Sequence, residues 1–245
     1  MTAAIVTVLH TVRCMLTDND FVHVYSFDFS KAFDTVQHVT LTSNLAQLEL
    51  PDNIYNWTVD SLDNHAHCTK YAGQVSAVAV IQASIIQGSA IGPAFYVVTA
   101  ADLHPVFKFA DDTYLVVPGV NTDTSREEID HIQTWAADNL KLNRNKTKEI
   151  VFSSRREGAL ALPPPRPDIE RVTSLRVLSV IVHDKLTAAD HMTMLLSSCS
   201  SLLYAMRVLR SHGTPTTSLH DIFRAIVQSI NQSIVDLYSA YTQSL

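Results

Sequence analysis

Apolar and polar positions alternate with two different periods along the first part of the chain. Apolar residues three or four positions apart predict an amphipathic helix over residues 1–16. Residues 21–29 alternate with period two instead, and aromatic side chains on one parity predict a mostly buried strand. Helical spacing returns from Val36 to Leu48, and a further helix is predicted over residues 53–62. This pattern predicts a mixed helix and strand protein.

The middle of the chain contains a long uncharged run, residues 71–101, which exceeds the roughly 20 residues that cross a bilayer. Glutamine, serine, glycine and proline interrupt it, and unpaired polar groups are costly in hydrocarbon, so we expect buried protein interior. Its β-branched residues favour two strands over residues 70–86, broken near Gly73. A helix is predicted over residues 92–103, because proline is tolerated in a first helical turn.

Two acids interrupt the apolar segment of residues 107–117, which predicts a hairpin with Asp111 and Asp112 at its turn. Ser125 followed by Glu128 is typical of a capping box at the start of a helix. The acids are therefore expected at an exposed turn between two strands, ahead of a capped helix.

The proline-rich segment of residues 162–167 is the predicted boundary between two domains, because it cannot continue a helix or a sheet. The domains would span residues 1–161 and 168–245. Residues 175–182 are predicted to form a strand, and two helices follow. The apolar stripe of the first of these helices, expected in the core, consists of Leu195, Cys199, Leu202, Met206 and Leu209.

Composition limits the class of protein. The chain has 245 residues, of which 47% are apolar, enough to bury a core. Residues 1–140 hold 16 acidic and 5 basic side chains, whereas residues 141–156 hold 6 basic and 1 acidic. Only this short patch resembles the basic footprint of a nucleic-acid binder, and a solvated surface strip is its simpler interpretation. The acidic excess suits divalent cations better.

The cysteines do not predict a disulfide framework, because Cys14, Cys68 and Cys199 are odd in number and far apart. We expect an intracellular protein without a secretion signal or a transmembrane segment. His65, His67 and Cys68 are crowded, but no second ligand pair follows at zinc-finger spacing. A G-x-S-x-G nucleophile pattern is also missing from the sequence.

Candidate chemistry lies at Asp28, which ends an apolar strand, and at Asp111 and Asp112. A single aspartate at such a position is usually a cap or turn residue. Charge next to buried strands is costly unless a metal or partner compensates it, and strands that pair side by side would bring these acids together. Carboxylates suit Mg²⁺, and two such ions support phosphoryl transfer.

Four motifs, in the order SFDFSKAFDTVQH, QGSAIGPAF, FADDT and LNRNKT, resemble the palm motifs of reverse transcriptases from non-LTR retrotransposons of the LINE-type, jockey-like group. The resemblance covers residues 5–212. It implies an α+β polymerase palm, an antiparallel sheet backed by helices, with incomplete fingers and a C-terminal helical thumb-like region. It also implies RNA-directed DNA polymerase activity with two Mg²⁺ ions, Mn²⁺ being an alternative. The implied partners are an RNA template, a DNA primer and deoxynucleoside triphosphates.

The resemblance implies a role for each matching residue. Asp28 and Asp111 would be the paired metal-binding acids, with the Phe29 backbone carbonyl as an extra ligand. Asp112 would be a more peripheral acid. Lys146 would lie near the leaving pyrophosphate, where it could donate a proton.

The nucleotide and template side of the site would use other residues. Phe33 matches the aromatic residue under the sugar of the incoming nucleotide, although core packing is a second interpretation. Gln87, Gly88 and Ser89 match the loop that approaches template and nucleotide, and would otherwise be a turn before a helix. Asp34, in the first motif, is interpreted as a helix-start residue.

Some features depart from the family pattern. The chain starts shortly before Asp28, so we expect an N-terminal truncation that removes most of the fingers. The short connection of residues 103–109 could displace Asp111. The alternatives are therefore a catalytically impaired remnant that binds RNA weakly through residues 141–156, and a protein-interaction module that uses the C-terminal helices.

Overall fold

The chain folds into a mixed arrangement of eight α-helices, eleven strands and one 3₁₀ turn within the residues that the structure describes. The structure, a computed structural model, describes residues 2–63, 66–86, 88–104, 106–122, 124–153, 162–178 and 180–242. The helices are α1 Thr2–Asp18, α2 Ala32–Thr35, α3 His38–Leu45, α4 Asp52–Leu62, α5 Gly92–Thr99, α6 Ser125–Asn139, α7 Ala189–Ser211 and α8 Thr216–Thr242, with the 3₁₀ turn at Gly119–Asn121. The strands are β1 Phe21–Phe27, β2 Ala66–His67, β3 Lys70–Tyr71, β4 Gln74–Val75, β5 Ala79–Val80, β6 Phe107–Phe109, β7 Asp112–Pro118, β8 Lys148–Ser153, β9 Glu170–Val172, β10 Ser174–Val177 and β11 Val180–His183. The predicted α+β class is confirmed.

The chain divides into two compact units, each built from separate segments. The first unit contains residues 1–26, 114–123 and 147–245, and the second contains residues 27–113 and 124–146.

The described residues include a five-stranded sheet in the order β6-β7-β1-β8-β9. β1 runs antiparallel to β8, with Phe21 opposite Ser153 and Ser26 opposite Lys148, and β9 is parallel to β8. Side chains of β1 are buried on both faces, which confirms the predicted buried strand. The predicted strand of residues 175–182 is instead the hairpin β10–β11, which turns at Leu178 with a φ of 53°.

Helices α1 and α8 pack against each other in the first unit, and α7 packs against α8 and β11. Ile5 and Val12 are completely buried, so the predicted N-terminal amphipathic helix is confirmed. The predicted core stripe of α7 is wrong beyond Leu195, because Cys199 is only half-buried and Leu202 is exposed. In the described part of the chain, α7 is the one helix long and apolar enough to cross a bilayer, a criterion that helices of soluble proteins also meet.

A buried ionic cluster links β1, β8 and β9. The Nδ1 atom of His23 lies 2.7 Å from Oε1 of Glu149, and Arg171 donates from Nε to Oε2 of the same carboxylate at 2.8 Å. Arg171 also donates to the Pro163 carbonyl at 2.7 Å, which ties the proline-rich segment to the sheet. Burial by itself raises the pKa of Glu149, but the hydrogen bonds from His23 and Arg171 outweigh it and lower this pKa to about 2.

The second unit begins where β1 ends. The single helix predicted from Val36 to Leu48 is in fact two, α2 and α3, separated by extended backbone. The carbonyl of Val36 accepts a hydrogen bond from the Ser84 N–H at 2.8 Å, and the His38 N–H donates to Gln82 at 3.1 Å. Val36 is therefore buried by a bridge between segments rather than by a helix face.

The first half of the uncharged run does not form the buried interior that we expect from its composition. Residues 66–80 form two-stranded ribbons with strands of two residues, and Tyr71 is 82% exposed. Ribbons this short cannot bury both faces of their side chains. Helix α5, in the second half of the run, does bury its inner side, which carries Gly92, Phe95, Tyr96 and Thr99.

Helix α6 packs one face in the core of the second unit, but its predicted capping box is wrong. The helix begins at Ser125 after Thr124, and within the described residues its N-terminus shows no side-chain cap. Ser125 is buried as the first helical residue, so its hydroxyl cannot serve as the cap. The buried inner face consists of Ile129, Ile132, Trp135 and Ala136.

Candidate active site

Main-chain hydrogen bonds fix the position of Asp28. β1 ends at Phe27, and the carbonyl of Asp28 accepts a hydrogen bond from the Asn143 N–H at 2.7 Å. The Ser30 N–H donates to the Lys141 carbonyl, also at 2.7 Å. This pairing crosses more than a hundred residues of sequence, so the carboxylate is held at a place that backbone geometry defines.

The same pairing brings Lys146 to Asp28. The chain turns after Asn143, where the Lys146 N–H donates to the Asn143 carbonyl at 3.1 Å. The Lys146 Nζ atom then lies 3.9 Å from Oδ2 of Asp28, with the lysine side chain 69% exposed. A pair this open to water contributes little to stability, so the lysine can move.

Asp111 and Asp112 lie at the tip of the β6–β7 hairpin, which confirms the predicted hairpin. Ala110 opens the turn with a φ of 52°. The pKa of Asp112 is raised because partial burial disfavours its charged form and because Asp111 and Asp28 carry like charges nearby. The structure therefore brings all three predicted acids into one electrostatic environment.

Lys108 anchors this hairpin to the end of α5. Its Nζ atom donates to the carbonyls of Ala100 and, at 3.0 Å, of Leu103. Ala100 is the C-cap of α5, whose carbonyl finds no partner in the helix itself. Burial lowers the pKa of Lys108, while Asp102 partly opposes this effect. This contact has no signal in the sequence, because a lone lysine in a short strand usually faces solvent.

The three aspartates suit a hard divalent cation. Their donors are carboxylate oxygens, and crowded negative charge in a partly desolvated place is what a cation would relieve. Across the described ranges, no three His, Cys, Asp or Glu side chains converge into a ready-made metal cage. Mg²⁺ usually binds through one or two protein carboxylates and completes its coordination with water and substrate phosphates. His65 lies outside the described residues, and the neighbouring His67 and Cys68 are exposed.

The side chain of Phe29 belongs to the core. Its ring meets the Trp135 ring edge-on at a centroid distance of 6.0 Å, and only 5% of the residue is exposed. Trp135 in turn donates from Nε1 to Asp102 at 2.9 Å. The ring therefore supports the segment beside Asp28, and metal binding through the Phe29 carbonyl stays a prediction.

Phe33 lies on α2 with its ring half-buried against α5. The ring stacks on that of Tyr96 at a centroid distance of 5.3 Å and an interplanar angle of 20°. Its carbonyl accepts a hydrogen bond from the Ile85 N–H at 2.8 Å. Burial raises the pKa of the Tyr96 phenol, and the carboxylates of Asp111 and Asp112 raise it further. Tyr96 was not a predicted site residue.

The predicted nucleotide loop is a turn that closes onto the start of α5. Gln87 lies outside the described residues, and Gly88 has a φ of 82° with open space around it. The Ser89 hydroxyl donates to the Ile86 carbonyl at 2.8 Å and accepts from the Gly92 N–H at 3.0 Å. A Cβ atom at Gly92 would lie 2.9 Å from the Ile86 carbonyl oxygen, so only glycine fits there.

The antiparallel pairing of β1 with β8 and the C-terminal helices are consistent with a palm-like fold. The sequence profile of the family described as "Reverse transcriptase (RNA-dependent DNA polymerase)" matches residues 6–182, and the chain belongs to this family. Two of its relatives are polymerases of the mobile element jockey. The RNA-directed DNA polymerase from mobile element jockey of Drosophila melanogaster is 26% identical over 184 residues, which cover 68% of this chain and 20% of that protein. The jockey polymerase of Drosophila funebris is 24% identical over 200 residues, covering 74% and 22%.

The chain thus spans about a fifth of the length of the curated relatives that it matches.

Solved structures agree on the fold. The structure of telomerase from Candida tropicalis in complex with a TWJ fragment of telomeric RNA matches 97% of this chain and 43% of its own, with a TM-score of 0.54 and 12% identity. The apo telomerase of that species, truncated from its C-terminal domain, matches 77% of this chain and 39% of its own, with a TM-score of 0.54 and 13% identity.

Proposed function

We propose that this chain is the catalytic palm of an RNA-directed DNA polymerase, which transfers deoxynucleotides to a primer 3′ hydroxyl. The observation that carries the proposal is the shared electrostatic environment of Asp28, Asp111 and Asp112, in a chain of the reverse transcriptase family. A carboxylate group with crowded charge fits divalent cations that bind nucleoside triphosphate.

Asp28 and Asp111 would hold two Mg²⁺ ions, or Mn²⁺, with the Phe29 carbonyl as a further ligand. When bound, the ions would supply activation of the primer hydroxyl and neutralisation of charge on the phosphates. Asp112 adds negative charge beside the other two acids and so strengthens their attraction for cations.

Other side chains would orient the nucleotide and move a proton. Lys146 lies beside Asp28 on an exposed, movable side chain, from which it can reach the pyrophosphate and protonate it. Phe33 presents a half-buried ring that would contact the sugar and leave no room for a 2′ hydroxyl. Gln87, Gly88 and Ser89 would contact the template and the nucleotide, with Gly88 allowing close backbone approach.

The partners follow from this reaction: an RNA template, a DNA primer and deoxynucleoside triphosphates. The exposed basic residues Lys141 and Arg144, close to Lys146 in sequence, would contact nucleic-acid phosphates. We propose an intracellular protein that acts away from the membrane. The division into a palm part, residues 1–161, and a thumb-like part, residues 168–245, is part of the same proposal.

The test is primer extension on an RNA template with Mg²⁺. We expect Asp28→Asn and Asp111→Asn to reduce extension by at least about a thousandfold, because each removes a carboxylate that would bind the metal. Asp34→Asn is the matched control, because Asp34 is an exposed acid of the first motif that starts a short helix. Extension that survives in Asp111→Asn at the wild-type rate would reject the assigned site.

A second candidate is a palm that binds nucleic acid without polymerising. The strand before Asp111, β6, has only three residues, so the hairpin tip is held by few ladder bonds. Calorimetric titration with a primer–template duplex, Mg²⁺ and nucleotide separates the two. If the chain binds the duplex and nucleotide does not increase the affinity, this candidate is favoured. A tight complex of chain, duplex and nucleotide favours the polymerase.

A further inference from the structure

We infer that Tyr96 is a positioning residue for sugar selection, because its buried ring is the platform on which the sugar-facing Phe33 ring lies. The inference rests on the proposed function and adds a residue to it that no motif match assigns.

The Tyr96 ring is held in place by its own burial and by contacts at both ends of α5. Tyr96 is only 2% exposed, and its ring is nearly parallel to that of Phe33. Helix α5, which carries Tyr96, is fixed at its start by the close approach of Gly92 to Ile86. At its end, the Asn44 side chain donates to the Val98 carbonyl at 3.2 Å. The ring therefore cannot retreat without moving the helix.

Phe33 itself is less constrained. Its backbone is held by one hydrogen bond from Ile85, and its ring is only half-buried on a helix of four residues. A half-exposed ring on so short a helix needs a neighbour to select one rotamer. Stacking on Tyr96 supplies that selection, since offset stacked aromatic pairs are favourable beyond the area they bury.

Tyr96 also lies next to the acidic hairpin tip. Burial raises the pKa of its phenol, and the charges of Asp111 and Asp112 raise it further, so both carboxylates lie close enough to act on it. One buried residue thus contacts the aromatic wall and lies within the field of the acids. A change at Tyr96 would alter the distance between the sugar wall and the proposed metal-binding acids.

The consequence concerns the choice between deoxyribose and ribose. A 2′ hydroxyl is excluded only if the Phe33 ring keeps its place, and a shift of a fraction of an ångström would admit it. We expect Tyr96→Leu to lower the ratio of kcat/KM for dCTP to that for CTP by about two- to tenfold, the range that corresponds to one aromatic stack. Tyr96→Phe keeps the ring and should change the ratio less than about twofold.

The experiment measures single-nucleotide extension and, on chain-terminated primers, equilibrium binding of dCTP and CTP. Phe95→Leu is the matched control, because Phe95 is a buried ring on the same helix that lines a cavity with Trp57 and Ile91. We expect Phe95→Leu to lower Tm and to leave the dCTP to CTP ratio unchanged.

Each outcome decides the inference. A wild-type chain that neither extends primers nor binds nucleotide would reject the proposed function and this inference with it. A selective wild-type chain whose selectivity persists in Tyr96→Leu would reject the inference alone. Equal loss of selectivity in Phe95→Leu would overturn it as well, because general loosening of α5 would then explain the effect. Equal loss in Tyr96→Phe would assign the effect to the hydroxyl and reject the platform.

Discussion

The buried cluster of His23, Glu149 and Arg171 makes the stability of the chain depend on acid pH in a defined direction. Glu149 is completely buried, and its carboxylate accepts hydrogen bonds from both partners. Its pKa is about 2 in the folded chain, against 4.5 for an ordinary glutamate. A lowered carboxyl pKa stabilises the folded state above pH 4.5, and this stabilisation is lost as pH falls from 4.5 towards 2.

The magnitude follows from the same two values. Their difference corresponds to about 3 kcal/mol of unfolding free energy at neutral pH. Glu149→Gln removes the charge and leaves Arg171 and His23 next to a neutral amide, so we expect the variant to be about 3 kcal/mol less stable at pH 7. Near pH 2 the wild-type carboxyl is itself about half protonated, most of its stabilising contribution is lost, and the two proteins should approach equal stability.

Urea unfolding followed by circular dichroism between pH 2 and pH 7 measures this convergence. Glu170→Gln is the matched control, because Glu170 is an exposed glutamate on the same strand as Arg171 and pairs with Lys148 at the surface. Its substitution should cost less than about 1 kcal/mol at every pH. A stability difference between wild type and Glu149→Gln that stays constant from pH 7 to pH 2 would refute the reasoning.

Three further predictions concern the glycine turn and the acidic tip. Gly88→Ala and Gly73→Ala should each cost about 1 kcal/mol in urea unfolding, because both residues have a positive φ in open space, but only Gly88→Ala should raise KM for nucleotide. Gly92→Ala should cost about 1–3 kcal/mol, since its Cβ would collide with the Ile86 carbonyl, and an unchanged Tm would contradict this. Asp112→Asn should raise Tm at pH 7 without divalent ions and reduce the added stabilisation by Mg²⁺. Because the pKa of Asp112 is raised, its ionisation destabilises the fold as pH increases, so the gain in Tm should vanish at low pH.

The spacing of apolar residues correctly predicted those helices and strands whose own side chains form a continuous apolar face. Helix α1 and strand β1 carry enough apolar side chains in one register to specify a buried face, and both are observed. The spacing of apolar residues did not predict burial where a side chain is buried only if another element packs on it. The β-branched residues of residues 75–86 favour extended backbone, but short ribbons leave Val78 and Val80 each 70% exposed. Val36 shows a second limit, since a long-range backbone bridge overrides its helical spacing.

The candidate site could be predicted only in part. Aspartates at strand ends and turns are visible because charge next to apolar strands is unusual. Tyr96 gives no such signal, because a tyrosine in an apolar helix is ordinary core and its importance comes from the distant Phe33 and Asp111. The hydrogen bond between His23 and Glu149 could not be predicted either, since 126 residues separate them in sequence.

Two main-chain hydrogen bonds hold the segment around Asp28 to residues 141–143, and this determines which changes the segment can accept. Any residue that supplies an amide hydrogen at position 143 would keep the main-chain bond to the Asp28 carbonyl. Proline alone lacks that hydrogen, so Asn143→Pro would release the strand end, whereas Asn143→Ala would leave the register intact. Substitutions that keep these main-chain bonds are therefore compatible with an unchanged backbone position at Asp28.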